Sequence, residues 1–395
     1  MRSVLTLLIA ATIATAAPKP GEKGTPEFDK AAELVKQLGH PRFAAREAAA
    51  KRLVEMGGAA VPALAAGTKS DDEEVRTRST ALLPQAKAAE WKRRADAYLA
   101  DKGGKEKHDL PLLAEWEKLV EKPDAGSRKL FAEMIRTGGD LLETVAANPK
   151  AAGPAAVERA RLIRDRVQTS RGQLKAEPGE LAGIFFVEVM ATGSGPAAGP
   201  GRPSRSSSPA QLLANPTWPD ALDAADMGPA VRKLLARWAG TRSVRDTMAQ
   251  QQFALLAQKK PFPEAAPALA AVAKSKDADL LSVRLIAVQA LGKVGGKEAD
   301  ATLTELIGDT ASIFGGPDEH RLGDSALAAL VQMHGKKLAD YGLTNNLGIG
   351  FAAGPGDDVV MLQLYGFHGT DARARAVKKW KDETSKKDGP AKPGK

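Results

Sequence analysis

The side chains able to do chemistry are dispersed along this 395-residue chain. Its five histidines, His40, His108, His320, His334 and His368, are far apart, and no two share the spacing that holds a metal ion. Cysteine is absent, which removes thiolate nucleophiles, cysteine zinc sites, iron–sulfur clusters and disulfides. The best local cluster, Asp318-Glu319-His320, could serve acid–base or metal chemistry, but it follows Gly315-Gly316-Pro317 and reads as an exposed loop. Ser204 to Ser208 has no histidine to activate a nucleophile and no Gly-x-Ser-x-Gly frame. The glycines Gly348-x-Gly350-x-x-x-Gly354 suggest a phosphate cradle, yet no strand is expected before them and Pro355-Gly356 replaces the helix that should follow. No catalytic, metal or cofactor-binding residue is therefore assigned, and a non-enzymatic protein is expected.

Two clusters mix tryptophan with arginine: Trp91 with Arg93-Arg94, and Trp238 with Arg237 and Arg242. That mixture can stack and neutralise nucleic acid, and it equally suits helix ends where tryptophan packs and arginine reaches solvent. Charge favours the second use. The 57 basic and 48 acidic residues leave +9, but seven lysines against three acids between Lys378 and Lys395 account for +4 of it. What remains is thin for tracking phosphates. A protein or a cell-envelope polymer is the expected partner.

The chain opens with Arg2, an apolar run from Val4 to Ala14, and Ala14-Thr15-Ala16, a small-x-small cleavage pattern. Residues 1–16 are read as a signal peptide cut before Ala17, and 17–26 as a flexible leader. A periplasmic or secreted protein follows. No other stretch approaches the roughly 20 apolar residues of a membrane span.

The elements that must position any site are helical. Leu34, Val35 and Leu38 share a face before Gly39-His40-Pro41; Phe43, Ala50, Leu53 and Met56 continue the period up to Gly57-Gly58. Val61, Leu64 and Ala65 mark a third helix, and Ser70-x-x-Glu73 reads as the capping box of a fourth. Further helices are expected around 112–120, 130–145 and 154–167. The run Leu181 to Val189 could be a buried helix or a strand, with helix favoured by its neighbours. Leu343 to Gly369 reads as an irregular, glycine-rich cap.

Internal repetition is the strongest organising signal. Arg46, Ala49, Ala50, Leu53 and Gly57-Gly58 recur at the same offsets as Arg284, Ala287, Val288, Leu291 and Gly295-Gly296, and more weakly as Arg76, Ser79, Thr80 and Leu83. Pro-Ala-Leu-Ala-Ala occurs from Pro62 and again from Pro267; each copy is followed by an acidic turn, Asp71-Asp72 or Asp277, and by Val75-Arg76 or Val283-Arg284. These residues resemble HEAT repeats over 28–85 and 262–334. Gly366-Phe367, Arg373, Ala376 and Lys379-Trp380 resemble the close of exported bacterial HEAT-repeat proteins of uncharacterised function. The resemblance implies an all-α solenoid of stacked helix pairs, with Arg46, Pro62, Asp71, Arg76, Pro267, Asp277 and Arg284 as structural repeat positions. It also implies an exported scaffold or protein-binding module. HEAT-like nucleic-acid binding or DNA-glycosylase activity is the alternative, and a bilin-lyase type a third. Two lobes are expected, 27–192 and 210–384, joined by a Gly/Ser/Pro linker at 193–209, with a disordered basic tail at 385–395.

Overall fold

Apolar residues three and four apart become helix wherever a cap or a breaker frames them. The computed structural model describes residues 25–170, 174–192, 208–314, 320–351 and 360–385, and the expected signal peptide lies outside these. Contacts divide the chain into two units, residues 1–97 and 98–395. In the first, α1 (Pro26–Gln37) opens at Thr25, whose hydroxyl accepts the Phe28 N–H at 3.3 Å. Its Ala31, Leu34 and Val35 pack with Ala49, Ala50 and Leu53 of α2 (Phe43–Met56) and Ala63 and Leu64 of α3 (Val61–Gly67). Phe43, expected on the apolar face, is instead 64% exposed beside Arg46. It occupies the first position of α2, before the helix has turned onto its partners.

The fourth helix, α4 (Glu73–Ala100), is capped by Asp72 rather than by Ser70. Asp72 Oδ1 accepts the N–H groups of Glu74 (2.9 Å) and Val75 (3.1 Å), because a carboxylate suits the positive end of the helix dipole. Ser70 Oγ accepts from Asp72 N at 3.2 Å and so shapes the turn. Gly67 is required by close approach: a Cβ there would sit 2.3 Å from Ser79 Oγ and 2.8 Å from Val35 Cγ1.

Beyond the last residues of α4, the second unit holds α5 (Leu113–Val120), α6 (Ala125–Ala147), α7 (Ala152–Thr169) and α8 (Pro178–Thr192). Leu181 to Val189 is thus helical, and residues 181–188 are all buried. Trp116 of α5 stacks on Phe131 of α6 at 6.0 Å and meets Phe186 of α8 edge-on at 5.5 Å. After α8 come α9 (Thr217–Asp223) and α10 (Gly228–Thr241), and the same core continues through them. Phe185 lies 5.5 Å from Trp218 and 4.9 Å from Trp238. Thr217 donates to the Ala176 carbonyl at 2.8 Å, and Arg164 to Gln211 at 2.6 Å. The division therefore falls at 97/98 and not at the expected linker, of which 193–207 lie outside the described residues. Gly/Ser/Pro composition marks a connection, but it does not reveal which helices meet across it.

The chain continues as α11 (Thr247–Lys259), α12 (Ala266–Ala273), α13 (Leu281–Val294), α14 (Gly296–Leu306) and α15 (Leu322–Met333). Packing is periodic: α11 lies on α13, α13 on α15, and α12 on α14. Two small antiparallel pairs are added. Strand β1 (Ser312–Phe314) pairs with β2 (His320–Arg321), and β3 (Thr344–Phe351) pairs with β4 (Val360–Gly366). The stretch expected to be irregular thus holds a hairpin: Leu362 and Leu364 bury completely and β4 lies on α15, which outweighs the turn tendency of the neighbouring glycines. The last helix is α16 (Thr370–Ser385). The fold is multi-helical with periodic helix packing, and no helix among the described residues is long and apolar enough to cross a membrane.

Candidate interaction groove

Two of the three aligned arginines bond turn carbonyls, and the third bonds the end of α12. Arg46 Nη1 donates to the carbonyls of His40 (2.9 Å) and Pro41 (3.2 Å); Arg76 Nη1 donates to those of Ser70 (2.7 Å) and Asp71 (3.5 Å). Arg284 Nε reaches the Ala273 carbonyl at 3.0 Å, and its Nη2 pairs with Asp309. The turns match as well. A side chain accepts the amide two residues on in each: His40 from Arg42 (3.0 Å), Ser70 from Asp72 (3.2 Å), Ser275 from Asp277 (3.3 Å). The repeated turn is therefore Lys-Ser-x-Asp, at Lys69–Asp72 and Lys274–Asp277, so the counterpart of Asp277 is Asp72. Asp71, expected in that role, supplies only its carbonyl. Three extra residues separate Asp277 from Val283, and Arg284 reaches two residues farther still, past Ser275 to the Ala273 carbonyl that ends α12. Pro62 and Pro267 each sit in the first turn of their helix, where a missing N–H costs nothing.

A buried ionic lock joins the last helices. Asp309 accepts from Arg284 and from the Ala311 amide (2.9 Å); Arg373 grips Asp324 with two bonds of 2.7 and 2.8 Å. Gly323 permits this, since a Cβ there would lie 2.4 Å from the Ile307 carbonyl oxygen. Arg373 also covers Phe367 at 5.6 Å, and Trp380 packs on His334 at 5.2 Å. The beside-lying cleft of ≈ 760 Å³ carries Arg321, Arg373, Lys378 and Lys381 against Glu305, Asp309, Asp324 and Asp382, a balance with no net pull on a polyanion.

The other candidates are absorbed locally. His40 accepts from Arg42, His108 pairs with Asp101 (3.1 Å), His334 pairs with Asp300 (2.5 Å), and His320 is buried at the foot of Gly366, while His368 is exposed. Asp318 and Glu319 lie outside the described residues, and among those described no three His, Asp or Glu side chains converge as ligands. Gly348 and Gly350 are ladder residues of β3, opposite Gln363 and Met361. Arg93 and Arg94 both bind Glu90; although burial alone would raise its pKa, these bonds hold the carboxyl down to about 2. Trp238 donates its indole N–H to Glu188 at 2.7 Å, and Arg242 donates to the Glu188 carbonyl at 2.8 Å. Burial pushes the Glu188 carboxyl up. The aromatic and basic pairs are thus committed to internal contacts, Arg237 excepted.

One surface combines an apolar floor with uncommitted charge. A groove of ≈ 470 Å³ runs between α5, α8 and α10, floored by Leu119, Val189, Met190 and Ala236. Its rim is Glu115, Lys118, Glu121, Lys233 and Arg237. Helix α5 forms one wall under constraint: Leu112 (φ +59°) and Glu121 (φ +63°), which flank it, are the only non-glycine residues with left-handed φ among those described. Each such conformation costs on the order of 1–3 kcal/mol, and the anchoring contacts supply the offset. Trp116 fixes the middle of α5, its Nε1–H donating to the Ser127 carbonyl at 3.1 Å. Lys233 of α10 holds the end, donating to the Val120 carbonyl at 2.6 Å and pairing with Glu121 at 3.5 Å. Sequence reasoning missed this groove. The available signal was that the apolar run of α8 continues through Val189 and Met190, past its buried part.

No family model, curated protein or solved structure matches this chain.

Proposed function

We propose that this protein is a non-enzymatic scaffold of HEAT-like helix pairs that acts outside the cytoplasm and binds a protein segment in the groove between α5, α8 and α10. The repeated Lys-Ser-x-Asp turns and their arginines support the repeat reading. The observation that carries binding is the half-exposed apolar floor at the end of α8, walled by a short helix held between two left-handed residues. Strain of that kind persists where a surface must be pre-shaped. The groove is large enough for one or two bulky side chains of a partner, the scale of an anchoring contact.

The test is photo-crosslinking in the cell of origin with a benzophenone side chain at position 190, and at position 85 as control. A discrete adduct at 190 that disappears on Val189→Asp supports the reading. An adduct pattern identical at 190 and 85, or none at 190, overturns it.

A further inference from the structure

We propose that the segment taken by this groove is acidic: a peptide helix presenting a bulky apolar side chain flanked by carboxylates. The inference rests on the groove reading above and adds the chemistry of the ligand. Of the rim cations, Lys233 is already spent on the Val120 carbonyl and Glu121. Lys118 on α5 and Arg237 on α10 stand exposed at the rim with no side-chain partner among the described residues. The nearby Arg242 contrasts with them, since Glu188 engages it. Among the described residues Glu121 of the rim pairs with Lys233, which leaves Glu115 as the rim acid without an ion pair. An apolar floor between two free cations is complementary to an apolar side chain between two anions. Closing over that floor removes water, which strengthens both charge pairs.

The stretch that follows α8 in the sequence cannot supply this ligand. Residues 193–207 contain only Gly, Ser, Pro, Ala and the arginines Arg202 and Arg205, so they offer neither a bulky apolar side chain nor a carboxylate. Residues 193–207 are thereby excluded, and the ligand assigned to the groove is a segment of another chain. Arginine and lysine would then act differently: Arg237 can grip a carboxylate with two parallel bonds, whereas Lys118 acts as a point charge.

The experiment is fluorescence anisotropy on the full chain with three labelled peptides of roughly 18 residues, long enough for a helix of about 27 Å. One has a leucine face and glutamates, one has lysines in place of the glutamates, and one has serines in place of the leucines. The glutamate–leucine peptide is expected to bind at least about tenfold tighter than either other, and more weakly as salt rises from about 50 to 500 mM. Lys118→Glu with Arg237→Glu should reverse the preference toward the lysine peptide, and Val189→Asp should abolish binding, with melting of each variant checked against the parent. Equal binding of the acidic and basic peptides, lost on Val189→Asp, would overturn the acidic inference and leave the groove reading standing. Failure of all three peptides to bind, or binding indifferent to both groove variants, would also overturn the inference; the groove reading is then judged by the crosslink at position 190.

Discussion

Replacing Arg284 by alanine isolates what burial does to a repeat arginine. Its residue is 3% exposed, and its guanidinium bonds the Ala273 carbonyl and a carboxylate, Asp309, whose side chain is 8% exposed. Losing a charge-assisted bond costs about 1.5–3 kcal/mol, and stranding a buried charge about 3–5 kcal/mol. Asp309 keeps the Ala311 amide and, at 3.6 Å, the exposed Lys276, which places Arg284→Ala near the lower end, about 3 kcal/mol. Arg76→Ala removes only exposed contacts with turn carbonyls that water can replace, so about 0.5–1 kcal/mol is expected. Urea unfolding with hydrogen exchange reads both: Arg284→Ala should speed exchange in α13 and α15, and Arg76→Ala only in residues 25–97. Changing Arg284 and Asp309 together to methionine and leucine should recover most of the loss. Equal small effects of Arg284→Ala and Arg76→Ala would refute the burial argument.

Three further outcomes are open to measurement. Glu90 titrates at about 2 when folded against 4.5 as its ordinary value, so its contribution is present above pH 4.5 and fades as pH falls through 2. Glu90→Gln should therefore flatten the acid loss of the first unit's melting between pH 5 and pH 2, by up to about 3 kcal/mol; an unchanged acid slope would contradict it. The Glu188 carboxyl is raised by burial, so its contribution is full below pH 4.5 and declines as pH rises through its folded pKa. Glu188→Gln, which retains an acceptor for Trp238, should melt at or above the parent at pH 8, and a fall of several degrees would show that the ion pair with Arg242 outweighs burial. Finally, a specific protease site placed between residues 193 and 207 should yield two pieces that co-elute without denaturant, because Phe185, Trp218 and Trp238 share one core. Separation on cleavage would count against that core.

Local rules made much of the helical framework legible. Helical period placed α1 to α3 and helices around 112–120, 130–145 and 154–167, observed at 113–120, 125–147 and 152–169, because caps and breakers act within one turn of the residues they govern. The repeat alignment singled out Arg46, Arg76 and Arg284; the first two bond turn carbonyls, and Arg284 bonds the last carbonyl of α12. It did not show that only Arg284 is buried, which depends on Asp309 arriving from 25 residues away. Leu362 and Leu364 were hidden in a glycine-rich frame, since a short apolar run is ambiguous until something covers one face. The groove was illegible for the same reason. Its floor joins Leu119, Val189 and Ala236 from three helices, and composition cannot report that meeting.

Hydrogen exchange of the full chain, alone and saturated with the glutamate–leucine peptide, tests groove binding most directly. Slowed exchange confined to α5, the end of α8 and the Lys233–Arg237 turn of α10, with residues 25–97 unchanged, is the result expected. Protection instead between α2 and α4, where Val54, Leu82 and Arg78 line another recess, or no protection at 113–121, would contradict it.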